Sequence, residues 1–175
     1  MSDAFSYPIG KLVPQTTCSS QERQDHIKTL EELPRNLGAA VVGFNAVQLE
    51  TPYRDGGWTV RQVVHHLADS HMQGYMRFKL ALTEDHPFMT TYNQPAWGEF
   101  EDARTAPLEI SLKLLEALHV RWVRIATAMK SEEFARTFDL KGETRTLDSA
   151  LHLYAWHSLH HVAQINSLKQ RKGWL

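Results

Sequence analysis

Near its C-terminus the chain carries two histidines on the apolar face of a predicted helix. The apolar residues of that face recur at helical spacing: Leu147, Ala150, Tyr154, Ile165 and Leu168. His157 and His161 fall in the middle of this face, and residues four apart in a helix point in the same direction. An unpaired buried polar group costs about 1–3 kcal/mol, whereas one divalent cation satisfies both imidazoles. The pattern therefore predicts a metal site completed by other helices, or else a pair of hydrogen-bonded core histidines.

The first half of the chain has the pattern of two long helices. A capping box at residues 19–22 opens the first, which we expect to break at Pro34 and to resume over residues 35–47. A second capping box, at residues 59–62, opens a helix whose inward apolar line extends to Leu82. Both helices are amphipathic and therefore require partners.

The second half supplies two more helices and little strand. Pro107 starts a helix that extends to Met129, and the last helix is predicted over 147–169 with Gly173 as its stop. Between them, residues 137–146 alternate in polarity and predict a small β-hairpin. Four amphipathic helices indicate an all-α four-helix bundle, an architecture that builds metal sites from inward side chains of facing helices.

The segment over residues 83–105 has no helical or strand period. It contains Pro87, Pro95 and several aromatic residues, among them Trp97. A connection of this length without structure is uncommon in a compact domain and is typical of a functional flap. We expect it to cover a site and to supply an apolar wall for a substrate, so that Trp97→Ala would weaken substrate use without removing metal.

Composition excludes several classes of partner. At 175 residues the chain fits one domain, which we expect to span 1–175. With 19 basic and 20 acidic residues it lacks the positive charge that a nucleic-acid backbone attracts. It has no run of about 18 apolar residues and no signal-peptide pattern, so we expect no membrane segment. The only cysteine, Cys18, is predicted to be inert, and it forms no disulfide within the chain, which predicts a cytoplasmic location.

The second long helix offers three candidates for a third metal ligand. A catalytic zinc-type site uses three protein ligands and keeps one position open. His65, His66 and His71 all lie on this helix. Periodicity favours His71, which lies on the apolar line, while His66 is at its edge and His65 points further away. Spacing alone leaves the choice open.

Two motifs together resemble a known family. Trp58 is followed eight residues later by His66, and His157-x-x-x-His161-x-x-Gln164 comes about ninety residues further on. This arrangement resembles the DinB superfamily of metal-binding four-helix bundles. The resemblance implies that His66, His157 and His161 form a three-histidine site for one divalent ion per chain, zinc or nickel, with an open position and no further catalytic residue.

A longer match narrows the resemblance. Residues 51–72 and 77–85 are similar to the bacterial bacillithiol transferase subgroup, whose members have also been described as metal-dependent hydrolases. The subgroup implies a homodimeric enzyme that conjugates a low-molecular-weight thiol to an electrophile. The alternative is a hydrolase of a small amide or ester that uses metal-activated water. A metal-binding protein without catalysis ranks third, because a structural zinc site is normally closed by four ligands, often cysteines.

Five further residues near these motifs have predicted roles. Gln164 hydrogen-bonds a metal ligand or the substrate, or is a core amide satisfied by backbone. Asp69 is expected to be a surface carboxylate rather than a group that orients an imidazole. His160 is expected to pack, or else to contact a metal ligand from behind. His119 is expected to pack rather than to be a fourth ligand, and His152 is expected to be solvated.

Overall fold

The computed structural model of the chain describes residues 2–174, with side chains from Ala4 onward. Its helices are α1 (Ser2–Ser6), α2 (Ser20–Val41), α3 (Ala46–Leu49), α4 (Val60–Thr83), α5 (Gln94–Trp97), α6 (Glu101–Thr105), α7 (Leu108–Ala128) and α8 (Leu147–Lys172), with a 3-10 helix at Ser131–Ala135. Its strands are β1 (Phe88–Met89), β2 (Thr137–Leu140) and β3 (Glu143–Thr146). The long helices α2, α4, α7 and α8 form a four-helix bundle, which confirms the predicted fold class. Among residues 2–174, no helix is both long and apolar enough to span a membrane.

Two of the long helices begin where the sequence predicts. At α2 the Ser19 hydroxyl accepts a hydrogen bond from the Glu22 N–H at 3.2 Å, and the Glu22 carboxylate accepts one from the Ser19 N–H at 2.7 Å. Thr59 and Gln62 repeat this arrangement at α4, at 3.2 and 3.0 Å. Each box satisfies two N–H groups that a helix start would otherwise leave without partners. The predicted capping boxes are therefore confirmed.

The predicted break at Pro34 is wrong, because α2 runs through Pro34 without interruption. Proline lacks the N–H that would donate to the carbonyl of Leu30 four residues earlier. Here the ring of His119, on α7, occupies that place, with its Nδ1 2.5 Å from the Leu30 oxygen. The helix continues because a neighbouring helix satisfies the carbonyl that proline leaves free.

The predicted helical piece over 35–47 is wrong in its second half. The helix α2 ends at Val41, and the chain turns at Gly43, whose φ of 78° lies in the left-handed region. Asn45 then caps the short α3 through its side chain, which accepts from the Gln48 N–H at 3.0 Å. A turn residue therefore separates two helices that the apolar pattern had joined.

A three-stranded sheet lies before the last helix. The strands β2 and β3 pair antiparallel, with Phe138 opposite Arg145, and this confirms the predicted hairpin. The turn residues Lys141 and Gly142 have φ values of 58° and 77°, as a type I′ turn requires. The sequence did not predict β1, which pairs parallel to β2, because a two-residue strand has no detectable period.

Because Gly74 has no side chain, α4, α7 and α8 can pack closely beside the histidines. A Cβ on Gly74 would come within 2.3 Å of the Trp122 ring and within 2.5 Å of the Tyr154 ring. These two rings pack edge to face at 5.1 Å, and both also contact His71. Aromatic side chains therefore form a close-packed wall behind the candidate site.

Candidate metal centre

Three histidines from two facing helices meet in the bundle core. His66 lies on α4, and His157 and His161 lie one turn apart on α8. The Nε2 of His157 is 3.2 Å from the Nε2 of His66 and 3.1 Å from the Nε2 of His161. All three rings offer a ligand atom within 4.8 Å of the others. We refer to these three residues as the histidine triad.

The geometry and protonation of the triad fit a divalent metal ion. Two nitrogens bound to one tetrahedral ion at 2.0–2.1 Å would lie about 3.3–3.4 Å apart, close to the distances between the Nε2 atoms. Burial, and after it the neighbouring imidazoles, hold the pKa of all three rings well below the ordinary histidine value. The rings are therefore neutral at pH 7, the form in which an imidazole binds metal.

The tautomer of His161 is fixed by a neighbouring amide. Gln164 donates from Nε2 to the carbonyl oxygen of Ser6 at 2.9 Å and to the Nε2 of His160 at 3.0 Å. A carbonyl only accepts, so the Gln164 oxygen must face the other way, where it lies 2.8 Å from the Nδ1 of His161. His161 then donates from Nδ1 and keeps the Nε2 lone pair free. Both predicted roles of Gln164 are present at once, as a partner of His161 and as an amide satisfied by backbone.

His66 is held from the other side by aromatic residues. The Trp58 ring lies 4.7 Å from the His66 ring, and the Tyr92 hydroxyl is 3.4 Å from its Nδ1. Tyr92 belongs to the segment predicted as a flap, so that part of the chain contacts the triad directly. Asp69 is half-buried rather than at the surface, and burial raises its pKa to about 6. Among residues 4–174 no hydrogen bond joins Asp69 to an imidazole.

The other histidines of α4 face elsewhere. His65 bonds to the Ser111 hydroxyl at 2.7 Å and to the carbonyl of Ala106 at 3.1 Å. His71 lies behind the triad, with its Nε2 3.2 Å from the Nδ1 of His157. Of the three candidates, the structure therefore brings His66 to the other two Nε2 atoms. Periodicity favoured His71 because it is fully buried, but it is buried beside a ligand candidate and not with its nitrogen toward the shared point.

The remaining predicted side chains lie outside the triad. His160 is buried and stacks on Trp156 at 4.4 Å, so the expectation that it packs is confirmed, with the Gln164 hydrogen bond added. His119 is buried on α7 and does not reach the triad. Burial and, after it, the negative charge of nearby Asp148 raise the pKa of the Cys18 thiol to about 11. A thiol held neutral at pH 7 is a poor nucleophile, which favours an inert Cys18.

One cleft reaches the triad from solvent. It has a volume of about 430 Å³, and its lining includes His157, His161, Tyr7, Trp156 and Arg54. A groove of about 680 Å³ between α2 and α7 is larger, but no triad residue lines it. The smaller cleft is therefore the candidate substrate site.

The predicted flap reaches this cleft through Gln94, and Trp97 is not among the lining residues. Its ring packs instead on the ring of Tyr92, at 4.5 Å, and Tyr92 is the residue whose hydroxyl approaches His66. The sequence placed Trp97 in the correct segment, but no pattern in a loop shows which aromatic ring faces the site.

Comparisons with known proteins place the chain in a family. The family model of the DinB superfamily matches residues 29–165. A protein of Bacillus subtilis (strain 168) named "Putative metal-dependent hydrolase YfiT" is 50% identical over 173 residues, which cover 97% of each chain. A "Putative metal-dependent hydrolase" of Geobacillus thermodenitrificans is 45% identical over 174 residues, which cover 98% of each chain.

A solved structure agrees with the sequence comparisons. It is described as "YfiT from Bacillus subtilis is a probable metal-dependent hydrolase with an unusual four-helix bundle topology". The two folds superpose with a TM-score of 0.95 at 48% identity, and the match covers 98% of this chain and 99% of the other. The fold is thus shared with a relative named for metal dependence, and the chain belongs to the DinB superfamily.

Proposed function

We propose that this chain is a metal-dependent S-transferase that joins a low-molecular-weight thiol to an electrophilic substrate. His66, His157 and His161 would hold one divalent ion per chain, zinc or nickel. The observation that carries the proposal is the convergence of three Nε2 atoms beside an open cleft. Three protein ligands leave one coordination position, and the cleft gives a small molecule access to it.

His66, His157 and His161 would hold a divalent ion without neutralising its charge, because their imidazoles are uncharged, and the ion would favour the thiolate form of a thiol at the open position. The chain contributes the neutral rings, because burial disfavours their protonated forms. The thiol would release its proton to water, and its sulfur electron pair would attack an electrophilic carbon and form a carbon–sulfur bond. With an alkyl halide the halide leaves with the bonding pair, and with an epoxide the ring oxygen keeps the pair and takes up a proton. The cleft excludes bulk water from part of this reaction volume.

A hydrolase is the second candidate, and the names of the relatives favour it. The same three ligands would then activate a water molecule for attack on an amide or ester carbon. A binding protein without catalysis ranks third, because among residues 4–174 no fourth His, Cys, Asp or Glu completes the cluster. A homodimer, implied by the family resemblance, stays a prediction.

One pair of assays tests the ranking. Protein loaded with zinc or nickel is incubated with a set of small thiols and monochlorobimane, and the fluorescent conjugate is followed. Parallel reactions contain an activated ester without thiol. We expect conjugation that needs the metal and is lost in His157→Ala. Metal-dependent ester cleavage with no thiol-dependent reaction would replace the transferase by the hydrolase.

A further inference from the structure

We infer that His71 and His119 are positioning residues, which fix the tautomer and ring orientation of His157 through a chain of three hydrogen bonds. Neither ring contributes an atom to the triad. This series of hydrogen bonds begins at the backbone of α2, passes through His119 on α7 and His71 on α4, and ends at the Nδ1 of His157 on α8.

The anchor of this chain is a carbonyl that proline leaves free. Because Pro34 has no N–H, the Leu30 oxygen lacks its usual helical donor. The Nδ1 of His119 lies 2.5 Å from that oxygen. A carbonyl only accepts hydrogen bonds, so the hydrogen of a neutral His119 must be on Nδ1. Its Nε2 is then an acceptor.

The hydrogen on Nδ1 of His119 in turn determines the tautomers of His71 and His157. The Nε2 of His119 is 3.0 Å from the Nδ1 of His71, which must therefore donate. The Nε2 of a neutral His71 is then an acceptor, 3.2 Å from the Nδ1 of His157. His157 consequently donates from Nδ1, and its Nε2 presents a bare lone pair to the other two triad nitrogens.

Burial supports the neutral state that this argument requires. His71 and His119 are 0% and 1% exposed. Their rings stack at 5.0 Å with planes 26° apart, and the His71 ring lies 5.3 Å from that of His157. The opposite tautomer of His157 would direct an N–H at the Nε2 of His66 and would block the metal position. Metal-ligating histidines commonly depend on such a partner for their orientation.

The tautomer of His157 is directly measurable in metal-free protein. Protein labelled with 15N at histidine gives long-range 1H–15N correlations that distinguish a ring with hydrogen on Nδ1 from one with hydrogen on Nε2. We expect wild-type His157 in the Nδ1–H form. Hydrogen on Nε2 of His157 would overturn the inference without bearing on whether the protein catalyses thiol transfer.

Variants of His119 test whether these hydrogen bonds set the tautomer of His157. In His119→Gln, the amide can donate to Leu30 and accept from His71, so we expect the wild-type tautomer and near wild-type zinc affinity. In His119→Leu, we expect mixed tautomers at His157 and zinc affinity lowered by about 10- to 100-fold in chelator competition. The control His65→Leu also removes a buried, hydrogen-bonded imidazole but has no contact with the chain of rings.

The outcomes separate positioning from packing. A packing role alone would lower the urea midpoint of His119→Leu and His65→Leu alike and leave both zinc affinities unchanged, which would overturn the inference. If His119→Leu does not fold, the wild-type tautomer and the behaviour of His119→Gln still decide, since a changed tautomer in His119→Gln also contradicts it.

A different observation, the charge of the cleft, points to an anion subsite at Arg54; this second inference rests on the proposed function. Among residues 4–174, Arg54 is the one Lys, Arg, Asp or Glu that lines the cleft. It is half-buried and held in place, with Nε donating to the Tyr53 hydroxyl at 3.1 Å and Nη1 to the Asp55 carbonyl at 2.8 Å. Among residues 4–174 its Nη2 has no hydrogen-bond partner and its guanidinium has no ion pair.

The subsite favours a thiol that carries a carboxylate. A fixed guanidinium with an open edge matches the planar geometry of that group, and within the part of the chain whose side chains are described no acidic group lines the cleft to repel it. Gly57 keeps the arrangement possible, since a Cβ there would come within 2.8 Å of Arg54 Cγ and 2.9 Å of the Tyr53 ring.

Two thiols that differ in one charge test the subsite. Binding of 3-mercaptopropionate and 3-mercaptopropanol to Co²⁺-loaded protein is followed by the sulfur-to-cobalt absorption band. We expect wild type to prefer the carboxylate by about tenfold, the size of one hydrogen-bonded charge pair. Arg54→Gln should remove the preference and Arg54→Lys should restore part of it. The control Arg35→Gln removes an exposed charge outside the cleft and should change nothing.

Binding and turnover are read separately in this experiment. Equal affinity of wild type for the two thiols, or an unchanged preference in Arg54→Gln, overturns the subsite even if conjugation occurs. A carboxylate preference without any conjugation supports the subsite and rejects the transferase.

Discussion

The helix α8 contributes histidines to two groups, the triad and the pair His26–His152, whose ring nitrogens have different partners. In the triad, the Nε2 atoms of His157 and His161 lie 3.1 Å apart with no carbonyl between them. One and a half turns earlier, the Nε2 of His152 is 2.9 Å from the carbonyl of Val13, and its Nδ1 is 3.2 Å from the Nε2 of His26.

The difference lies in which lone pairs remain free. The Val13 carbonyl requires a hydrogen on Nε2 of His152, so its Nδ1 must accept from His26, and no two nitrogens of this pair are left to share an ion. In the triad, hydrogen bonds occupy the Nδ1 atoms of His157 and His161 and leave their Nε2 atoms free, while the Nδ1 of His66 faces the Tyr92 hydroxyl. Two histidines in contact are therefore a metal site only where the surrounding acceptors lie on their outer sides.

The strongest test of this comparison removes one ring from each group. We expect purified protein to carry about one divalent ion per chain, and His157→Ala or His161→Ala to carry none, because two ligands do not hold the ion against dilution. His152→Ala should keep the wild-type metal content. Elemental analysis of the three variants gives the answer. Wild-type metal content in both triad variants would show that the triad is not the site.

A second test separates His66 from His71, which differ in the direction of their nitrogens. His66→Ala removes a ligand, so we expect it to lose the metal. His71→Ala removes only a partner of His157, so it should still bind one ion at saturation, with affinity lowered by about 10- to 100-fold. Metal titrations of both proteins distinguish the roles, and the reverse pattern would assign the third ligand to His71.

The sequence predicts much of the fold and of the triad, and the predictions that were wrong have physical causes. Capping boxes and the apolar period predict the helices α4 and α8, and the resemblance to the DinB superfamily names the triad that the structure brings together. Periodicity alone ranked His71 above His66, because it reports burial and not the direction of a nitrogen. The solvation expected for His152 is also wrong, since contacts from Val13 and His26 half-bury it.

Long-range contacts explain what no local pattern contained. The break expected at Pro34 is absent because His119, distant in sequence, satisfies the Leu30 carbonyl. The sequence does show that a helical Pro34 would leave the Leu30 carbonyl without its usual N–H donor, and hence that this carbonyl needs another partner. That His119 is this partner could be seen only from the packing of α7 on α2. The position of Arg54 in the cleft could likewise be seen only from the folded structure.

A third test uses pH and concerns the rings behind the triad. Burial lowers the pKa of His119 to about 4, partly offset by the Leu30 hydrogen bond, whereas in the unfolded chain it titrates near 6.5. Below pH 6.5 the unfolded state binds the extra proton, so the stability due to neutral His119 is present above that pH and is lost toward pH 4.

The matched variant is His119→Gln, which does not titrate. Between pH 6 and pH 5, metal-free wild type should lose about 1.4 kcal/mol per pH unit more than this variant in urea unfolding. Parallel stability curves for the two proteins would mean that His119 is protonated in the folded chain, and the direction of its hydrogen bonds would then need revision.

The smallest effect is expected from the segment that covers His66. Trp97 contacts the triad only through Tyr92, so Trp97→Ala removes one ring contact of about 0.5–1.5 kcal/mol, which corresponds to a rise in KM of about 2- to 10-fold. Metal content should be unchanged, because no Nε2 of the triad loses a partner.

Tyr92→Phe is the companion variant, since it keeps the ring on Trp97 and deletes only the hydroxyl 3.4 Å from His66. A hydrogen bond of that length is weak, so Tyr92→Phe should change zinc affinity less than removal of His71 does. Steady-state kinetics and metal titrations on the two variants test this order, and loss of metal in Trp97→Ala would mean that the segment supports the triad more directly than its contacts indicate.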